Sequence, residues 1–224
     1  MTRVLLELTR KLDSARAERA GLPRTYDSEN LRRHAELAAR VSSLQAQIAS
    51  VKGLPYATRV DWPWPWSAGA PLPHVVASDH RLFLIYMAAV PNPGWDGTHA
   101  EMVDATTVRR EGVVVVRFRQ LRAHRFGAPN DEVFSGHPLA DAGFDGSYGL
   151  WEFHNSPWLR ELEMINSVHA NYRPEAWASV RHLFFAFHDS TFEAIAGDVE
   201  HVETRSSSLA PVVLEYTAKL SAGR

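Results

Sequence analysis

The sequence predicts an α+β protein: an N-terminal helical hairpin of coiled-coil character, then a mainly antiparallel sheet packed with one or two helices. Three observations predict it. Apolar residues in the first fifty positions recur at helical spacing, a short stretch dense in proline and tryptophan follows, and beyond it the pattern changes to period two. The 224 residues are 45% hydrophobic and 22% charged, which excludes general disorder. That length suits one domain with an appendage, or two small ones. The chain has no cysteine, so a disulfide scaffold, a thiolate nucleophile, a cysteine zinc site and an iron–sulfur cluster are excluded together.

Residues 1–52 form the hairpin. Val4, Leu5, Leu8 and Leu12 line the first helix, which Gly21-Leu22-Pro23 ends because proline cannot continue it. Asp27 or Ser28 caps the second. There His34, Leu37, Val41, Leu44, Ile48 and Val51 fall 3, 4, 3, 4 and 3 apart; Leu31 and Ala38 widen the stripe and Gly53 closes it. Residues 1–52 carry ten basic and six acidic side chains, against fourteen and twenty in the remainder. The arginines are scattered and lack a phosphate-tracking face, so nucleic acid is not an expected partner. Neither helix holds an aromatic residue for a membrane surface. Self-association or packing on the main domain is expected, with a homo-oligomer through residues 1–52 because two helices alone cannot bury both faces.

Residues 53–74 form a connector containing Trp62-Pro63-Trp64-Pro65-Trp66. Alternating proline forces extended backbone. Its indoles, Trp64 among them, either grip a partner or ligand, or fold inward as a strap. The opening Val4-Leu5-Leu6 is too short for a secretory segment, and the longest apolar run, residues 82–90, is half of the roughly 18 residues a bilayer span needs. No membrane span and a cytoplasmic location are therefore expected. Arginine outnumbers lysine 21 to 3, a bias of GC-rich bacterial coding.

Residues 75–224 make the sheet domain. The spacing predicts a central strand over 80–90 and a strand over 113–119, with Val114, Val116 and Phe118 on one face and Arg117 and Arg119 on the other. Gly149–His154 alternates similarly. A helix over 157–171 is capped by Asn155 or Ser156, with Pro157 in its first turn and an apolar stripe of Leu159, Leu162 and Ile165. Strands over 182–188 and 191–196 join by a tight turn, and 198–203 is a further strand. Residues 209–220 read as a C-terminal helix, with an edge strand at Pro211-Val212-Val213-Leu214 as the alternative.

The turn at Asp189-Ser190 sets Phe187 opposite Phe192, Phe185 opposite Ala194 and Ala186 opposite Glu193. One face, from Leu183 to Ala196, is wholly apolar. The other gathers His182, Phe184, Ala186, His188, Thr191, Glu193 and Ile195. If strands 113–119 and 149–154 join that sheet, the second face also receives Arg117, Arg119, Glu152 and His154. Such a set offers His154 and His188 as acid–base groups, Glu152 and Glu193 to orient them, and arginines for an anion. The same pairs also suit a solvated antiparallel face. Glu152, His154, His188 and Glu193 are the candidate ligands for a divalent metal, provided the two segments are neighbours. The loop over 126–148 is a candidate lid or wall of a pocket, with His137 its chemical contributor. Asp141, Asp145, Gly146 and Glu152 match part of a calcium loop, but Gly143 removes a ligand and no incoming helix precedes it. A Ser190–His188–Asp189 triad fails because successive strand residues point to opposite faces. Two expectations follow. The first is a cytoplasmic binding or assembly protein that associates through its helices and takes a protein partner or small ligand on the sheet face or strap. The second is a small-molecule enzyme using the His/Glu cluster.

Overall fold

Asp27 opens the longest of the described helices: its carboxylate accepts the backbone N–H of Asn30 at 2.9 Å, as an N-cap should. The computed structural model describes residues 3–23, 25, 27–89 and 103–222. In chain order the elements are α1 (Arg3–Ala20), α2 (Ser28–Val51), β1 (Tyr56–Arg59), β2 (His74–Ala77), β3 (Leu82–Met87), β4 (Arg109–Arg119) and β5 (Ala123–Gly127). A 3₁₀ turn at Asp131–Gly136 precedes β6 (Gly149–His154) and α3 (Pro157–Asn166). They are followed by α4 (Glu175–Ala178), β7 (Arg181–Ala186), β8 (Thr191–Ala196), β9 (Asp198–Ser207) and α5 (Leu209–Ser221). The chain divides into two units: Met1–Val60 with Glu132–Ser147 and Trp151–Tyr172, and Asp61–Asp131 with Tyr148–Leu150 and Arg173–Arg224. The α+β class holds, with β1–β6, β2–β3, β3–β4, β4–β9, β5–β8 and β7–β8 all paired antiparallel. No described helix is long and apolar enough to cross a membrane.

In the first unit, α1 and α2 pack Leu8, Leu12 and Ala15 against Val41, Leu44 and Ile48. All but Ala15 belong to the expected stripes, whose members Val4, Leu31 and Val51 stay exposed. The opposite side of α2 buries Ser42, Gln45, Ala46 and Ala49. Strand β1 pairs with β6, setting Tyr56 opposite His154 and Thr58 opposite Glu152. Ser156 caps α3 by accepting from Leu159 N at 3.1 Å, with Pro157 in the first turn. That helix stops at Asn166, short of the expected 171, and Ile165 is exposed rather than packed.

The second unit holds two sheet arrays, β2-β3-β4-β9 and β7-β8-β5. Phe118 of β4 meets Phe185 and Phe192 at ring separations of 5.8 and 5.1 Å, so the two arrays share a core. On the far face of β3 and β4, helix α5 buries Leu209, Val212 and Tyr216 against Phe83, Ile85, Val113 and Val115. The C-terminal segment is therefore helix, not edge strand. The tryptophan strap lies inward: Trp66 is buried against Tyr86, Phe185 and Phe187, and Trp62 Nε1 donates to Tyr86 Oη at 2.9 Å. Strand β3 is wholly buried, as expected of a central strand; Val90, the last residue of that expectation, lies outside the described residues.

Two expectations need correction. In the β7–β8 hairpin, Phe185 faces Phe192, Leu183 faces Ala194 and Phe184 faces Glu193. The connection takes four residues, 187–190, closed by Phe187 N donating to Ser190 O at 3.0 Å, so Phe187 and His188 leave the strand. A slip of two preserves which side chains share a face, because the side-chain period is two. Leu183, Phe185, Phe192, Ala194 and Ala196 keep their common face, while Phe187 passes to the turn and the pairings change. Arg117 and Arg119 also lie elsewhere than expected, since β4 belongs to the array with β3 and β9.

Candidate functional site

Beyond its stripe toward α1, α2 carries Ala39, Ser43, Ala46 and Ser50 at spacings of 4, 3 and 4. Such small side chains leave room beside the helix. The room is a groove of about 620 Å³ in the first unit, lined by that small-residue edge, by Val4 and Leu8 of α1, by all of β1, and by Asp145 and Trp151. A tight turn holds its shape. Ser42 Oγ donates to Gly143 O, Ala57 N donates to Ala142 O at 2.8 Å, and Gly143 adopts a φ of +107° beside Ala57 and Ala46.

Among the described residues lining the groove, Arg59 is the one cation. The Arg59 guanidinium sits 5.7 Å from the centre of the Trp151 ring, and its Nη1 donates to Ser147 Oγ at 2.7 Å. Trp151 Nε1 donates to Ser147 O at 3.2 Å, which fixes the indole beneath the arginine. Asp145 uses one carboxylate oxygen to accept Ser147 N at 2.8 Å. An apolar floor, hydroxyl-bearing walls and an oriented arginine suit an amphipathic molecule carrying an anionic group.

The residues expected to carry chemistry are divided between the units. Glu152 and His154 share a face in the first: His154 Nε2 lies 2.7 Å from Thr58 Oγ1, its Nδ1 lies 3.8 Å from Glu152, and its ring stacks on Tyr56. His137 packs between Phe144 and Phe153, with Nδ1 accepting Leu139 N at 3.1 Å. Asp141 of the partial calcium pattern accepts from Gln45 at 3.3 Å and lies 4.0 Å from Arg16; Glu152 is on a strand rather than at a helix start.

In the second unit, Glu193 pairs with His182 rather than His188, at 2.8 Å; both side chains are largely buried, at 17% and 7% exposure. The corrected register produces this, because Glu193 now stands diagonal to His182. Thr191 is buried. Arg117 and Arg119 both grip Glu200 of β9, and these bonds, that of Arg119 foremost, hold its carboxyl down to about 2. Trp64 stacks on His201 with ring centres 4.0 Å apart and planes 3° from parallel. Among the described residues, no three or more of His, Asp and Glu stand together as a metal-holding group, so the four candidate ligands are not gathered into one.

His188 instead meets two residues that sequence reasoning missed. Its Nδ1 lies 3.0 Å from Asp131 Oδ2 and 3.3 Å from the Tyr148 hydroxyl, which itself donates to Asp131. All three belong to the second unit. The only advance signal was that Asp131 and Tyr148 border or lie within the long loop; no spacing rule links positions 131, 148 and 188.

Comparison of the chain with protein-family models, curated proteins and solved structures returns no match.

Proposed function

We propose that the chain is a cytoplasmic binding protein that takes a small amphipathic anion in the groove of its first unit and associates with its own copies through residues 1–52. The groove carries this reading. Its volume of about 620 Å³ falls within the roughly 300–1,000 Å³ of ligand sites, and Arg59 in its lining is oriented on an indole face. Association is supported by the apolar side chains the hairpin leaves in water. Leu6 and Leu31 are 40% and 51% exposed, outside the groove.

Titration with 1-anilinonaphthalene-8-sulfonate, an aromatic anion, tests the groove. Saturable binding is expected in the native chain. Gln47→Trp, which fills the groove from an exposed position, is expected to abolish it, and Arg59→Ala to weaken it about tenfold, the equivalent of ~1.4 kcal/mol. Unchanged binding in a folded Gln47→Trp protein overturns the site. Sedimentation equilibrium tests association: the native chain is expected above its monomer mass of 25.1 kDa, and a Leu6→Glu, Leu31→Glu double variant at that mass. A native chain that stays monomeric at tens of micromolar (about the protein level used in such runs) overturns it.

A further inference from the structure

The described histidines use their two nitrogens differently. His34, His154, His182 and His201 each engage Nε2: with Pro23 O, Thr58, Glu193 and Thr204 respectively. His137 and His169 each accept a backbone N–H at Nδ1, which places their proton on Nε2. His74 and His188 are built the other way: His74 Nδ1 faces the Leu72 carbonyl at 2.8 Å, and His188 alone of the two sets Nδ1 against a carboxylate. Its Nδ1 faces the Asp131 carboxylate at 3.0 Å, a group that only accepts, so the proton resides on Nδ1. Whenever the ring carries that proton alone, Nε2 holds the lone pair, and no hydrogen bond from a described residue reaches it. The side chain is 41% exposed.

The support around the ring is itself held. Asp131 N donates to His188 O at 3.0 Å, so side-chain and backbone bonds tie the same two residues in both directions. Tyr148 donates to the same carboxylate oxygen that receives His188. Burial and the Asp131 carboxylate push the Tyr148 phenol up to about 12, which keeps it a donor throughout the neutral range. A carboxylate fixing an imidazole tautomer while the far nitrogen stays open is the arrangement a general base requires.

We propose that His188 is the general base of a hydrolytic centre for small, activated carboxylic esters, with Asp131 and Tyr148 as positioning residues. Nε2 takes a proton from water as the water oxygen bonds to the acyl carbon. The imidazolium keeps its Nδ1–H on Asp131. The tetrahedral adduct then expels the leaving oxygen, the C–O bond breaks, and the proton on Nε2 passes to that oxygen. Ester and water become acid and alcohol, with no other reactant consumed.

The test uses the full chain with p-nitrophenyl acetate near neutral pH, reading p-nitrophenolate release. Release above buffer is expected. His188→Ala should lower the protein-dependent rate about 10²-fold, and added imidazole should restore it. Asp131→Asn keeps the shape but no longer dictates the tautomer, and should cost at least about tenfold. His188→Gln, whose amide N–H can still reach Asp131, keeps the loop tied yet should be as slow as the alanine variant. His80→Gln, at an exposed histidine outside the cluster, should match the native rate. The proposal is overturned by a native chain no faster than buffer, by a native rate in His188→Ala or His188→Gln, or by loss that imidazole does not restore. Any of these leaves the groove reading standing, because the two draw on different residues.

Discussion

Gly143→Ala is the most informative single change in the first unit. The residue sits at φ +107°, where an L side chain is strained. A Cβ there would overlap the carbonyl oxygen of Ala57 and stand 2.8 Å from Ala46 Cβ. Ala57 belongs to β1 and Ala46 to α2, and both line the groove. Neither the backbone oxygen nor a helix methyl can swing aside, so β1 and α2 must separate. Gly53→Ala supplies the control. It also has positive φ, at +68°, but a Cβ there meets nothing within 4 Å. Its cost is the left-handed conformation alone, about 1 kcal/mol after the gain from restricting the unfolded chain. At Gly143, strain of about 2 kcal/mol adds to overpacking of about 2, for a total near ~4 kcal/mol. With a urea slope of about 2 kcal/mol/M, the midpoint should fall by about 2 M at Gly143 and about 0.5 M at Gly53. Equal midpoints for the two variants would refute the close approach of turn, strand and helix on which the groove depends.

Other perturbations test other parts of the fold. Phe185→Ala, at a ring meeting Trp62, Trp66, Phe118 and Phe192, should cost about 4 kcal/mol by urea denaturation; a loss below about 1 kcal/mol would mean that the arrays of the second unit do not share that core. Glu193→Gln should cost about 1.5 kcal/mol by weakening the enclosed bond to His182, while the exposed Glu175→Gln should cost less than about 0.5; equal losses would deny the pair its role. Acid sensitivity follows from lowered carboxyls. Arginine bonds to Glu200 and arginine and lysine bonds to Glu215 bring both from 4.5 to about 2, so the unfolded state binds more protons between those values. Their stabilisation is present above about 4.5 and is lost as pH falls toward about 2. Glu200→Gln should flatten that part of the stability–pH curve, read by circular dichroism at fixed urea; an unchanged slope would remove Glu200 from the account.

Among the candidate residues, those legible in advance were those whose neighbours are close in sequence. Glu152 and His154 share a face because two positions along a strand always do. His188 and Glu193 did not meet, because their meeting depended on a turn length. A four-residue connection moved the register by two, sent Glu193 to His182, and freed His188 for Asp131. The groove was half legible. The 4, 3, 4 spacing of Ala39, Ser43, Ala46 and Ser50 stands in the sequence, but small residues become a wall only when a strand and a turn arrive opposite them.

Local chemistry alone determined much of this protein. Helical spacing and an aspartate cap placed α2, serine and proline started α3, and period-two alternation separated the apolar face of β7 and β8 from its reverse. These depend on interactions within a few residues, whose geometry the backbone dictates. Tertiary structure decided the rest: the β7–β8 pairing, the array that receives β4, the inward strap, and the meeting of Asp131, Tyr148 and His188. Each is a choice among long-range contacts that local preference leaves nearly equal, and close packing of side chains far apart in the chain selects one.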